Sequence, residues 1–303
     1  MEQMNKLKQR TARLSVGSNL LLVILKLSVG VFSGAVSIVS EAAHSGVDLI
    51  AAFIAFYAVR KAVKPPDEQH AYGHGKVENL SGAIEAGLIV LAAIWIVYEA
   101  INKYYQAEAP EFLEYGVAVM VVSIVVNWYV SNKLFKVAAT TGSQALEADA
   151  VHLRSDIWSS IGVLGGLVVI KITGYTWLDS AIAVIVALIV FRAGYQMSKK
   201  SLYELTDISL PEVEEEIIRD ILSAHPDSID FHQLRTRRSG SRRLIDVHLI
   251  LYKDMHLDKA HAICDQIEAE IEAKLAPCDI TIHIEPCGNY AELDACPLSD
   301  KDK

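Results

Sequence analysis

Past Lys199 the sequence lacks any apolar run able to cross a bilayer, whereas before it such runs follow one another almost without a break. A hydrocarbon core of ~30 Å needs about 20 mostly apolar residues in a helix. The last third of the chain is therefore excluded from the membrane, and the chain divides in two. Cysteine is scarce as well: all four (Cys264, Cys278, Cys287 and Cys296) lie in that last third, with no CxxC spacing. This excludes a CxxC redox centre or a thiolate zinc finger. In a cytosolic tail the thiols are expected to stay reduced and free, with Cys287 alone close to other ligand types. No GxxxxGK[ST] segment and no soluble part large enough for an ATPase are present, which excludes P-loop energy coupling. The net charge of −9 and the lack of a basic stripe with interleaved aromatics argue against nucleic acid as a partner. One basic cluster remains, Arg235, Arg237, Arg238, Arg242 and Arg243 around Ser239-Gly240-Ser241. It reads as a solvated hairpin turn, with a nucleic-acid contact or a contact for anionic lipid head groups as the alternatives.

What the chain does have is 52% hydrophobic residues, too many for an ordinary soluble protein. Six spans are expected, about 14–32, 37–59, 80–101, 113–135, 148–172 and 178–197. The first leads directly into the second without a small-residue cleavage pattern, so it is expected to stay in the mature chain. Basic residues set the orientation. Lys6, Lys8, Arg10 and Arg13 precede the first span, Arg60, Lys61, Lys64 and Lys76 follow the second, Lys133 and Lys136 follow the fourth, and Lys199 and Lys200 follow the sixth. On the other side Lys103 is outnumbered by Glu108, Glu111 and Glu114, and Lys171 stands alone. Both termini are thus expected in the cytoplasm. The domains read as a transmembrane domain over 1–206, a cytoplasmic domain over 207–290 and a flexible tail over 291–303.

Among the apolar spans a single spacing occurs twice: His44 with Asp48, and His152 with Asp156. Residues four apart share a helix face, so each pair offers an imidazole and a carboxylate to one point. Ionisable groups deep in hydrocarbon are costly unless paired or functional. A single pair is readily explained as a helix-packing hydrogen bond, but two of matching order in separate spans point to a four-ligand divalent metal site. Two imidazoles and two carboxylates suit zinc. Ligand histidine must be neutral and aspartate ionised, so protons compete with the metal, and metal-for-proton exchange becomes the expected energy source. A second cluster, Asp67, His70 and His74, falls in the Pro65–Gly75 loop, and its spacing fits equally a polar cytoplasmic loop or an exchangeable site with open coordination. Of the other polar residues in the spans, Asn19, Lys26 and Asn127 are expected to bond helix to helix or to snorkel, and Glu85 and Asp179 to sit at span ends.

The tail reads α-β-β-α-β. A helix is expected from Ser209-Leu210-Pro211 to about Ser223, strands at Ile229–Thr236 and Arg243–Leu251, a helix at Leu257–Leu275 and a strand at Asp279–Glu285. Alternation turns Ile280, Ile282 and Ile284 toward the helices and His283 and Glu285 away from them. His232 and His248 can share that outer face, and with His261 on the adjacent helix they complete a candidate third metal cluster.

The run Ser37-Ile38-Val39-Ser40-Glu41-Ala42-Ala43-His44-Ser45-Gly46-Val47-Asp48 resembles the signature of the cation diffusion facilitator family, and the similarity extends through six spans to about Pro286. The chain is most similar to the bacterial YiiP-like members. That resemblance implies a homodimeric, proton-coupled exporter of zinc and related divalent ions in the bacterial inner membrane. It implies a transport site of His44, Asp48, His152 and Asp156, a loop site of Asp67, His70 and His74, and a tail cluster of His232, His248, His261, His283 and Glu285. It also implies a ferredoxin-like, metallochaperone-like tail and a dimer charge interlock formed by Lys76 and Asp207. His44 and Glu285 stand where that branch has Asp, and Glu41 replaces a signature Asp. A His at the first position of both pairs resembles zinc-preferring members. The expected fold is thus an all-α six-helix membrane domain with a small α+β cytoplasmic domain. The rival functions are a broader Cd2+, Fe2+ or Mn2+ exporter, a metal sensor, and a membrane-embedded metallohydrolase, for which Glu41 is the one candidate base and no HExxH is present.

Overall fold

Long apolar segments have one structural solution in lipid other than a closed barrel, the helix, because it satisfies its backbone polar groups internally. The computed structural model describes residues 2–33, 36–106, 114–173 and 177–287. It divides into two units, Met1–Leu205 and Thr206–Lys303. In the first, the described residues form α1 (Glu2–Ser33), α2 (Val36–Ala62), α3 (Lys76–Gln106), α4 (Glu114–Thr141), α5 (Gln144–Thr173) and α6 (Trp177–Leu205). Several run well past the expected spans. Hydropathy locates the stretch inside lipid, whereas the helix continues into water on exposed polar residues such as Lys6, Arg10 and Lys200. Among the described residues, stretches of α1, α3, α4 and α6 are long and apolar enough to cross a membrane. The other two helices, α2 and α5, carry the His–Asp pairs.

The helices pair α1 with α2, α3 with α6 and α4 with α5. Small residues let them approach: Ala51, Ala52, Ala55 and Ala58 line the buried side of α2. Among the described residues, two glycines mark close crossings. A Cβ on Gly162 would lie 2.6 Å from Val186 Cγ2, and one on Gly194 would lie 2.9 Å from Ile89 Cγ2. Large apolar side chains such as Leu21, Ile24, Phe53, Leu91 and Trp95 face outward, while Asn19, Lys26, Asp48, Glu85 and Asp149 are buried. This inversion of the soluble pattern fits a lipid-facing surface around a polar interior.

The second unit holds α7 (Glu212–Ala224), β1 (Asp230–Ser239), β2 (Arg242–Leu251), α8 (Leu257–Leu275) and β3 (Cys278–Pro286), with sheet order β1-β2-β3. β1 and β2 are antiparallel, β2 and β3 parallel. Ile218 and Leu222 of α7 and Ile263, Ile267 and Ile271 of α8 pack on Ile245, Val247, Leu249 and Leu251. Both helices therefore cover one face. Pro211, expected within the first helical turn, instead immediately precedes it, where its carbonyl accepts from Glu214 and Glu215. In β1 the register slips between His232 and Arg235, with Gln233 at φ 50°. This bulge lets Phe231 and Leu234, three apart, both pack against the core.

Cys264 and Cys278 are free thiols, and burial raises the pKa of each. Cys287 is disulfide-bonded, which corrects the expectation of four free thiols and removes its sulfur from the candidate ligands. Sequence spacing does not report which sulfurs approach within the few ångströms that bonding requires. Cys296, the loop acids Glu108 and Glu111, and the flexible tail expected over 291–303 lie outside the described residues, as do the side chains of Glu41 and Asp179.

Candidate metal centres

On α2, His44 Nε2 lies 4.0 Å from Asp48 Oδ1, and on α5, His152 Nε2 lies 4.0 Å from Asp156 Oδ2. These are the intrahelical separations expected of residues four apart. The decisive contact runs between the helices: His152 Nε2 is 3.2 Å from Asp48 Oδ1. Ligand atoms of His44, Asp48 and Asp156 all fall within 4.8 Å of one another. Asp48 and His152 are buried, whereas the His44 side chain is 54% exposed and stands at the mouth of the group. A tetrahedral zinc with bonds of about 2.0–2.2 Å has ligand atoms roughly 3.3–3.6 Å apart. His152 joins the other three through Asp48 at 3.2 Å and Asp156 at 4.0 Å.

Of the neighbouring polar groups, Lys26 takes the helix-to-helix bond expected of it rather than snorkelling: it is buried, and its Nζ reaches from α1 to donate to Ser45 Oγ on α2 at 2.8 Å. Glu85, expected at a span end, is completely buried and accepts from Ser81 Oγ at 3.0 Å. The reason is the length of α3, which begins at Lys76 and carries Glu85 more than two turns inward. Asp149, which the sequence reading misses, is buried one turn before His152. Its i−3 spacing to that histidine is the available signal.

The loop cluster is held by its own backbone. Asp67 Oδ1 accepts from the amides of His70 (2.8 Å) and Gln69 (3.1 Å). Gly73, at φ 80°, donates its N–H to the His70 carbonyl and turns the chain so that His74 comes back beside His70, with rings 4.4 Å apart. His70 Nδ1 and His74 Nε2 each lie 3.2 Å from an Asp67 oxygen. The His70 amide bond is the main cause holding the Asp67 carboxyl below its ordinary pKa. One carboxylate and two imidazoles thus meet in a compact, partly open cluster.

In the tail the sheet register does the assembling. His232 sits opposite His248 across β1 and β2, and His248 opposite His283 across β2 and β3. Glu285, two residues beyond His283, reaches back to His248 Nδ1 at 2.6 Å, His232 Nε2 at 3.5 Å and His283 Nε2 at 3.7 Å. His232, His248 and Glu285 form the tight group, with His283 at its rim. His261 stands apart from that group. Its side chain is 75% exposed on α8, 3.8 Å from Asp265, because α8 packs on the opposite face of the sheet.

Four of the five arginines in the cluster bind acids within the tail. Arg238 and Arg243 both bind Glu214, Arg242 lies 3.5 Å from Asp279, and Arg237 lies 3.3 Å from Asp207. The Arg243 guanidinium is the main cause that keeps the Glu214 carboxyl below its ordinary pKa. Of the residues implied in a charge interlock, Asp207 bonds Arg237 and Lys76 Nζ donates to the Leu205 carbonyl at 3.3 Å.

Residues 12–206 match the cation efflux transmembrane domain, and residues 210–287 match the cytoplasmic domain of cation efflux proteins. The uncharacterized transporter sll1263 of Synechocystis is 32% identical over 282 residues, covering 93% of this chain and 91% of that protein. The cation-efflux pump FieF of Shewanella oneidensis is 30% identical over 275 residues, covering 91% and 93%. Among solved structures, the metal-bound C-terminal domain of the CzcD transporter from Thermotoga maritima covers 26% of this chain and 98% of its own, at 27% identity and a TM-score of 0.25. Both the helical unit and the α+β tail are thus accounted for by one lineage, and the chain belongs to the cation efflux, or cation diffusion facilitator, family: a multi-pass membrane transporter of cations and not an enzyme.

Proposed function

We propose that this transporter exports a divalent cation, zinc first, from the cytoplasm across the inner membrane in exchange for protons. The carrying observation is the 3.2 Å approach of His152 to Asp48, which joins two intrahelical pairs into one group of two imidazoles and two carboxylates. Their formal charge of −2 offsets a divalent ion, and the imidazole half favours zinc over harder ions. The same atoms bind protons, so a side of the membrane at lower pH strips the metal. Alternation between two access states then couples the flows in opposite directions. Protein in proteoliposomes under an imposed pH gradient tests this. Zinc accumulation is expected to follow the gradient and to vanish in Asp48→Ala and Asp156→Ala. Accumulation that persists in either variant removes the site.

The flanking clusters extend the reading. Asp67, His70 and His74 capture the ion at the cytoplasmic surface, and His232, His248, His283 and Glu285 bind it in the tail, so that cytoplasmic metal biases the transport equilibrium. Both termini then lie in the cytoplasm, in keeping with the basic residues of the loops on that side. Two copies form the working unit, with Lys76 and Asp207 contributing charge to the interlock. A broader Cd2+, Fe2+ and Mn2+ specificity is the alternative favoured by the two carboxylates, which accept harder ions than imidazole does. Competitive binding of zinc, cadmium, manganese and iron to the wild type and to His44→Asp separates the two: a shift away from zinc in the variant supports the first reading, and unchanged selectivity supports the second.

A further inference from the structure

Lys26 is a buried ammonium beside a cation site, an arrangement that works against the cation unless it has a task. Its Nζ reaches from α1 to Ser45 Oγ on α2 at 2.8 Å. Ser45 and Asp48 are three apart on α2 and share a face. Both Asp48 and Asp156 count Lys26 among the charges acting on them. With neutral imidazoles, the carboxylates of Asp48 and Asp156 and the Lys26 ammonium together carry −2 + 1 = −1. Once the divalent ion has departed, two bare carboxylates in a low-dielectric bundle are costly without a compensating cation. While the ion is bound, the ammonium repels it. A carrier needs both effects, because binding must be favourable enough to load and weak enough to unload.

We propose that Lys26 is a resident counter-cation. It offsets Asp48 and Asp156 when the divalent ion has left, and it loosens the ion's hold so that release keeps pace with loading. Ser45 acts as a tether, holding the ammonium through its hydroxyl. Lys26 is accordingly a positioning residue for the transported ion and not one of its ligands. The inference rests on the transport site proposed above.

The test is zinc flux by the full chain in proteoliposomes, read as half-saturation and maximal rate. In Lys26→Met the half-saturating zinc concentration falls on the order of tenfold, as loss of one repelling charge near a divalent ion predicts, and the maximal rate falls with it. Lys26→Arg keeps the charge and stays near the wild type. Ser45→Ala keeps the charge but removes its tether, which turns the ammonium toward the carboxylates and raises the half-saturating concentration. An unchanged or raised value in Lys26→Met overturns the proposal. So does an unchanged value in Ser45→Ala, a readout that holds even if the methionine variant does not fold. Flux that survives Asp48→Asn refutes the underlying transport site, whatever the Lys26 variants do.

Discussion

Replacing Glu285 with Gln keeps the size of the side chain and removes the charge at the hub of the tail cluster. Its two oxygens face three imidazoles, at 2.6, 3.5 and 3.7 Å. A hydrogen bond or ligand contact to a charged group contributes about 1.5–3 kcal/mol, so zinc affinity of the tail should fall roughly 10- to 150-fold. Linkage converts this into stability. Zinc at 100 times the wild-type Kd stabilises the tail by about 2.7 kcal/mol. The same zinc concentration is only about 10 times Kd, or about equal to it, in the variant, leaving roughly 1.4 or 0.4 kcal/mol. Hydrogen exchange of the β2 and β3 amides in the full chain reads the difference. Zinc should slow wild-type exchange about 100-fold and the variant at most about tenfold. Equal zinc protection in the two proteins, or none in the wild type, would refute the cluster as a metal site.

Two further outcomes follow from the packing. Glu214 is depressed in pKa chiefly by Arg243, so its contribution is present above the ordinary glutamate pKa and is lost as pH falls through the depressed value. Glu214→Gln should therefore lower tail stability by about 1 kcal/mol near neutral pH, after allowance for solvent screening, and converge with the wild type in acid; denaturant melts of the two at several pH values check it. Gly162→Ala would press a Cβ to 2.6 Å from Val186, and overpacking of this kind costs about 1–3 kcal/mol; adding Val186→Ala should restore the thermal midpoint, and a failure to do so would show that the crossing is looser than its geometry.

What could be read in the chain was local in its physics. Period 3.6 puts His44 over Asp48 and His152 over Asp156, and both intrahelical separations are 4.0 Å. Period 2 separates Ile280, Ile282 and Ile284, which pack against the core, from His283 and Glu285 on the other face. The α-β-β-α-β order was legible for the same reason, from short alternating strands and the isoleucine stripe of α8. Helix ends were not, because hydropathy follows the bilayer and hydrogen bonding does not stop there. The β1 bulge also escaped, since one extra residue at Gln233 resets a pattern that strict alternation assumes to be constant.

The sequence by itself determined the membrane class, the two matching His–Asp pairs and the sheet face on which His248, His283 and Glu285 stand, because these depend on neighbours within a turn or two. Only the tertiary structure decided that α2 and α5 meet with Asp48 against His152, that Lys26 and Glu85 are buried, and that His261 lies on the far side of the sheet from Glu285. Those are distances between residues far apart along the chain. They are set by how small side chains let whole helices approach and by how strands align, which no local periodicity encodes.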